Sequence, residues 1–149
     1  MPDPQAKFQV GESVTQHLIF DEPAVRQFAL LSGDSNPMHH DKTFAGNTRF
    51  GGLIASGAHS SAIMLGMVAA FMTERGASLG LEFSVKFRKA IPVDQPVRIE
   101  WIVEAIEPNP KLNGHIITLS GKLYNAQNEV AVEGHAKAAS LPPDALLSQ

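Results

Sequence analysis

From residue 78 onward, apolar and polar side chains alternate with a period of two. In "LGLEFSVKFRKA", Leu79, Leu81, Phe83, Val85 and Phe87 are separated by Gly80, Glu82, Ser84, Lys86 and Arg88. "VRIEWIVEAIE" repeats the pattern through Val97, Ile99, Trp101, Val103 and Ala105. "HIITLSGKLYN" and "EVAVEGHAKAA" follow, set apart by the turn-rich "PNPKLNG" and "NAQNE". Successive side chains of a strand point to opposite faces, so each stretch predicts a half-buried β-strand. Four such strands, joined as a meander, make an antiparallel sheet with one apolar face.

Upstream the spacing changes. Residues 12–20, "ESVTQHLIF", predict a first strand. "DEPAVRQFALLSG" then carries helix punctuation, with Asp21 to cap the first turn, Pro23 within it and Gly33 at the exit. Val25, Phe28, Ala29 and Ser32 share one face of that helix. Asn36 precedes a proline and is disfavoured in the helical conformation, so "NPMHHD" is extended or turned. Asp41 can cap a short helix through "KTFAGN". Residues 58–75 predict a long helix, ended by Gly76 and about 27 Å long at 1.5 Å per residue. Its second half is apolar on every side, so other structure should wrap it. The apolar face of the sheet is the obvious wrapping, giving one α+β domain over 1–149 with loose ends at about 1–7 and 140–149.

Composition narrows the function. The 149 residues suffice for a core without metals or disulfides. Lys and Arg number 12 against 15 Asp and Glu, a net charge of −3, and no basic tract occurs. That argues against a nucleic-acid or anionic-membrane surface. Cysteine is absent, which excludes a thiolate nucleophile, a disulfide framework and a cysteine zinc site. "MPDPQAKFQV" has no basic segment leading into an apolar run, so no signal peptide is expected and a cytoplasmic location fits. Residues 53–72 lack Lys, Arg, Asp and Glu, but Ser56, Gly57, His59, Ser60 and Ser61 make the first half polar and small. A buried helix is the better reading than a membrane span. Charged residues form 18% of the chain, below the roughly 25% usual for such domains, which hints at a covered subunit interface.

The densest chemistry lies in "SGDSNPMHHD", residues 32–41. Asp34 read alone closes a turn by bonding nearby amides, and His39 read alone is a satisfied loop histidine. His40 and Asp41 fit solvent and helix capping. A metal held by His39, His40 and Asp41 is a poor reading, because adjacent residues of an extended chain point opposite ways. Together, however, Asp34 and His39 flank a proline-bearing turn that can fold both side chains into one cleft, with Asn36 stiffening it. Downstream, "GLIASGAH" delivers a glycine to the start of the long helix, where an exposed N–H backed by the helix dipole suits an oxyanion. Acid, base and oxyanion donor are the parts for adding or removing a proton beside a carbonyl.

"FALLSGDSNPMHHD", followed after a gap by "FGGLIASGAH", resembles the MaoC-like dehydratase family, which includes the (R)-specific enoyl-CoA hydratases. The likeness runs through Asp34, Asn36, Pro37, His39 and Gly57 and covers about residues 8–138 in element order. It implies a hotdog fold, an antiparallel sheet wrapped around a long central helix, usually paired as a homodimer. It also implies reversible syn hydration of a trans-2-enoyl thioester of coenzyme A or an acyl carrier, with no metal or redox cofactor. By that likeness Asp34 and His39 are the catalytic pair and the Gly57 N–H binds the thioester oxygen. Asn36, Ser56 and His59 become candidate substrate-binding positions. Ser56 stands where many family members have histidine, and His59 either faces the pocket or sits in the core bonded to backbone. Two rivals share the fold. A hotdog thioesterase usually needs an acid on or near the central helix, and residues 58–73 hold none. A non-catalytic acyl-thioester-binding subunit should lack the acid–base pair, which this chain retains.

Overall fold

Each alternating stretch becomes a strand of one sheet, in a computed structural model that describes residues 7–148. The strands are β1 (Ser13–Ile19), β2 (Ser78–Phe87), β3 (Pro96–Asn109), β4 (Gly114–Tyr124) and β5 (Val130–Ser140). All pairings are antiparallel, in the spatial order β1-β3-β4-β5-β2. Among the described residues, three α-helices precede β2: α1 (Glu22–Ser32), the short α2 (Lys42–Gly46) and α3 (Gly57–Thr73). This is an α+β arrangement with α3 lying against the apolar face of the sheet.

The meander holds only for β3, β4 and β5. β2 crosses to the far edge and pairs with β5 rather than with β3. The reason lies in the link from β2 to β3, which is tied down elsewhere. The Ala55 N–H donates to Ile91 O and the Val93 N–H to Leu53 O, at 2.9 and 3.1 Å. That link therefore runs back across the sheet end instead of closing a hairpin. Residue alternation identifies a strand but carries no information about which neighbour it finds.

Helix α3 also departs from expectation. It starts at Gly57 and ends at Thr73, two residues short of the expected 75, giving about 26 Å at 1.5 Å per residue. Glu74 takes the cap position, and Gly76 adopts the left-handed φ of 122° two residues later. Met64, Met67, Val68, Phe71 and Met72 are buried, whereas Leu65 is 40% exposed and Ala62, Gly66, Ala69 and Ala70 lie open. One chain supplies one sheet, so only one side of the helix's apolar second half is covered. Leu79 and Leu81 of β2, expected on a buried face, are exposed beside it. β5 extends to Ser140, which is buried together with Leu141, so the sheet includes the first of the residues expected to be loose. The loose N-terminal end lies, apart from Lys7, outside the described residues. Among them, no helix is long and apolar enough to cross a membrane.

Trp101 locks the helix to the sheet. Its ring is fully buried and its indole N–H donates to Met64 O of α3 at 3.1 Å. Gly121 of β4 and Gly134 of β5 leave room for that ring: a Cβ on Gly121 would lie 2.4 Å from it, and one on Gly134 2.9 Å. The ring cannot slide away without losing its hydrogen bond. Gly121→Ala should therefore cost about 1–3 kcal/mol of stability, the usual range for overpacking a core. Denaturant unfolding measures it. A midpoint equal to that of the parent would show that the ring is free to move.

Candidate active site

The loop after α1 is built by local hydrogen bonds that the sequence can supply. Gly33 takes the left-handed φ of 78° that lets α1 stop, and its N–H donates to Leu30 O. The Asp34 N–H donates to Ala29 O at 2.9 Å. Asp34 Oδ1 then accepts the Asn36 N–H, and Asn36 Oδ1 accepts the Met38 N–H, both at 3.0 Å. Each is an Asx turn, and Pro37 opens a single 3₁₀ turn that ends at His39. His40 turns to the backbone of the loop. Its Nε2 donates to Asp34 O at 2.8 Å, while the Arg26 guanidinium bonds His40 O. Asp41 caps α2 through the Phe44 N–H. Among the described residues, no three His, Asp or Glu side chains gather to hold a metal ion.

This stitching sets two side chains face to face. His39 is buried, and its Nδ1 lies 2.8 Å from Ile54 O. A carbonyl only accepts, so Nδ1 carries the hydrogen and Nε2 is left to face the site. Nε2 sits 3.3 Å from Asp34 Oδ2. Nε2 and the carboxylate are therefore both placed to take a proton from, or give one to, a group bound beside them. The Asp34 carboxyl remains about one-third exposed, so a water or substrate can reach the pair.

The pair opens onto a cavity of about 760 Å³ that Asn36, Gly57, Ser60 and Phe87 also line. Its volume is ample for a small-molecule site. Gly57 is the first residue of α3, so its N–H has no intrahelical partner. Ser60, one turn on, is buried and donates from Oγ to Gly57 O at 3.2 Å. Phe87, at the end of β2, lays its ring against the Gly57 Cα, and a Cβ there would lie 2.8 Å from it. Nothing in the local pattern around either residue signals this contact, because 30 positions separate them in a chain read one window at a time.

Ser56 and His59 are not brought to the cavity. Ser56 is the N-cap of α3, fully buried, with its hydroxyl accepting the His59 N–H at 3.1 Å. His59 is stacked on Phe28 of α1 at 4.5 Å and edge-on to Phe20, just after β1, at 4.8 Å. Its Nδ1 is buried without a partner among the described residues. Burial depresses the His59 pKa below its ordinary 6.5, with the Asp21 charge opposing weakly. The unfolded chain then binds a proton more readily than the native one. Stability from this residue is full above about 6.5 and declines as the pH falls below it. His59→Phe, which cannot titrate, should flatten the loss between pH 7 and pH 5 in denaturant midpoints. An equal loss in both proteins would place the acid sensitivity elsewhere.

A family model for the MaoC-like domain matches residues 2–115. The chain belongs to the MaoC-like family. It is 29% identical over 128 residues to an (R)-specific enoyl-CoA hydratase of Aeromonas caviae, spanning 86% of this chain and 92% of that one. Among solved structures, an (R)-hydratase from A. caviae involved in PHA biosynthesis superposes with a TM-score of 0.77 at 29% identity, covering 91% of this chain and 98% of that one. R-hydratase PhaJ1 from Pseudomonas aeruginosa gives 0.76 at 26% identity, over 91% and 84%. The hotdog fold implied by the motif is thus shown, with α3 as its central helix.

Proposed function

We propose that the chain is a hydro-lyase that adds water reversibly and syn across a trans-2-enoyl thioester, giving the (3R)-hydroxyacyl thioester. The observation that carries this is the Asp34–His39 contact, 3.3 Å long and sharing a cavity with the helix-opening Gly57. In the hydration direction, a water hydrogen-bonded to the exposed side of the Asp34–His39 pair gives the pair a proton as its oxygen bonds to the β-carbon. The π electrons move toward the thioester, and the Gly57 N–H stabilises the charge that gathers on its oxygen. The pair then returns a proton to the α-carbon on the same face, which restores its own protonation state. Holding one proton between two groups lets one unit serve as base and acid in turn. Nothing in this sequence of steps calls for a metal or redox group. The similarity to (R)-hydratases supports the reaction class. A panel of trans-2-enoyl thioesters of graded chain length, followed by loss of enoyl absorbance, tests it. A folded protein inert on every member would sink it.

We further propose that the working form is a homodimer joined through β2 and α3. β2 is a sheet edge with exposed Leu79 and Leu81, and Leu65 lies open on the adjoining helix. Together with Val68, Phe83 and Ala136 these residues line an apolar groove of about 460 Å³. Uncovered strand edges and apolar patches of this kind are ordinarily covered in an assembly. Sedimentation at micromolar concentration should give twice the chain mass, and Leu81→Lys should shift it toward one. A stable monomer in the parent protein would remove the proposal.

A further inference from the structure

Two adjacent histidines turn to opposite sides of the active-site loop. His39 lines the cavity, whereas His40 is outside that lining and sits in a separate recess beside Ala29, Gly33 and Ser35. His40 is half-buried, and its Nε2 lies 2.8 Å from Asp34 O. A carbonyl only accepts, so Nε2 carries the hydrogen. His39, with Nδ1 on Ile54 O, uses the other ring nitrogen as its backbone donor.

The His40 bond closes a ring in the chain. The path runs from the Asp34 carbonyl through the His40 imidazole, along the backbone to His39, and back from Nε2 to Oδ2. Asp34 is thereby tied at each of its other polar groups. Its N–H donates to Ala29 O, its Oδ1 accepts the Asn36 N–H and its carbonyl accepts from His40, which leaves Oδ2 for His39. Fixing both the N–H and the carbonyl of one residue fixes the planar peptides on either side of its Cα, and so the direction of its side chain. The ring is anchored in turn. Arg26 of α1 bonds His40 O and pairs with Glu22 at 3.0 Å, and Glu22 pairs with Lys42 of α2, also at 3.0 Å. Ion pairs near the surface are weak singly, so the imidazole bond is the contact on which the Asp34 geometry turns.

We propose that His40 is a positioning residue, which holds Oδ2 of Asp34 in register with Nε2 of His39 by way of the Asp34 backbone and without touching substrate. The proposal rests on the hydratase reading for what the pair is used for. How the pair is held follows from the hydrogen bonds of the loop alone. Acid–base geometry of this kind has to be kept within about 0.5 Å, by neighbours that are themselves held.

His40→Leu fills similar space without a donor, and His40→Gln offers an amide N–H to the same carbonyl. On trans-2-butenoyl-CoA, His40→Leu should lower kcat by about 10- to 100-fold with KM little changed, the scale on which an ångström of misplacement is felt. His40→Gln should recover most of that loss, which a merely space-filling role would not allow. In the Asp34→Asn background His40→Leu should cost almost nothing further, because the group it positions is gone. A parent-like kcat in His40→Leu overturns the proposal, and so does an equal loss in both backgrounds. Long-range proton–nitrogen NMR of the parent adds a readout that depends on neither variant folding. With the imidazole neutral, His40 should be fixed with its hydrogen on Nε2, and a ring averaging between tautomers is not braced and overturns the proposal. The same spectra separate the brace from the reaction. If no thioester is hydrated, yet His40→Leu moves the His39 ring-nitrogen signals as Asp34→Asn does, the brace stands and the reaction assignment fails.

Discussion

Replacing His39 with alanine, or Asp34 with asparagine, is expected to lower kcat for enoyl-thioester hydration by about 10²-fold or more, the usual worth of general acid–base catalysis. The reasoning differs for the two. His39→Ala deletes the Nε2 that faces Asp34 and also leaves Ile54 O without its partner. A modest stability loss therefore accompanies the catalytic one, since an unpaired carbonyl costs about 1–3 kcal/mol when buried. Asp34→Asn keeps the size and the Oδ1 acceptor for the Asn36 N–H, so the loop should fold as before. What it removes is the carboxylate that faces Nε2. Because the two act as one unit, the double variant should be little worse than either alone, not worse by the product. Multiplicative losses would mean two independent roles. Near-normal turnover in Asp34→Asn would take the acid out of the mechanism.

Much of this site was legible because its geometry is local. Asp34, Asn36 and His39 are joined by an Asx turn, a proline and one 3₁₀ turn, all of which follow from residue type and short spacing. The strand β3 was legible for a similar reason: Val97, Ile99, Trp101 and Val103 are buried in strict alternation against one face. The pattern misled where burial depends on what lies across a gap. Leu79 and Leu81 alternate as well as any, yet they lie exposed at a sheet edge. The apolar circumference of α3 was read correctly, but a single sheet covers only part of it. His40, assigned to solvent and capping, instead holds the Asp34 carbonyl, a contact six residues away that no capping rule covers. That Arg49, Arg88 and Lys89 line one cavity was invisible too, because residues so far apart in the chain come to one place only where the β2–β3 link crosses the end of the sheet.

That crossing also sets the second large effect, at Gly57. A glycine at the first position of a helix is not required by backbone conformation, since Gly57 lies outside the left-handed region. The requirement comes from Phe87, whose ring would meet an added Cβ at 2.8 Å. The ring is the end of a side chain 57% exposed, so it can swing aside. Gly57→Ala should therefore fold with near-parent stability while displacing the wall beside the proposed oxyanion donor. We expect kcat/KM to fall by about 10²-fold, comparable to losing such a donor, although the N–H itself remains. Ser56→Ala has the opposite profile, because the hydroxyl caps α3 and does not line the cavity. Its loss should cost about 1 kcal/mol of stability with a smaller effect on turnover. The decisive variant is the pair Gly57→Ala with Phe87→Ala. Removing the ring takes away the clash, so the pair should recover most of what the alanine at 57 lost, relative to Phe87→Ala alone. If it recovers nothing, the methyl group obstructs the thioester directly and the contact with Phe87 is incidental to catalysis.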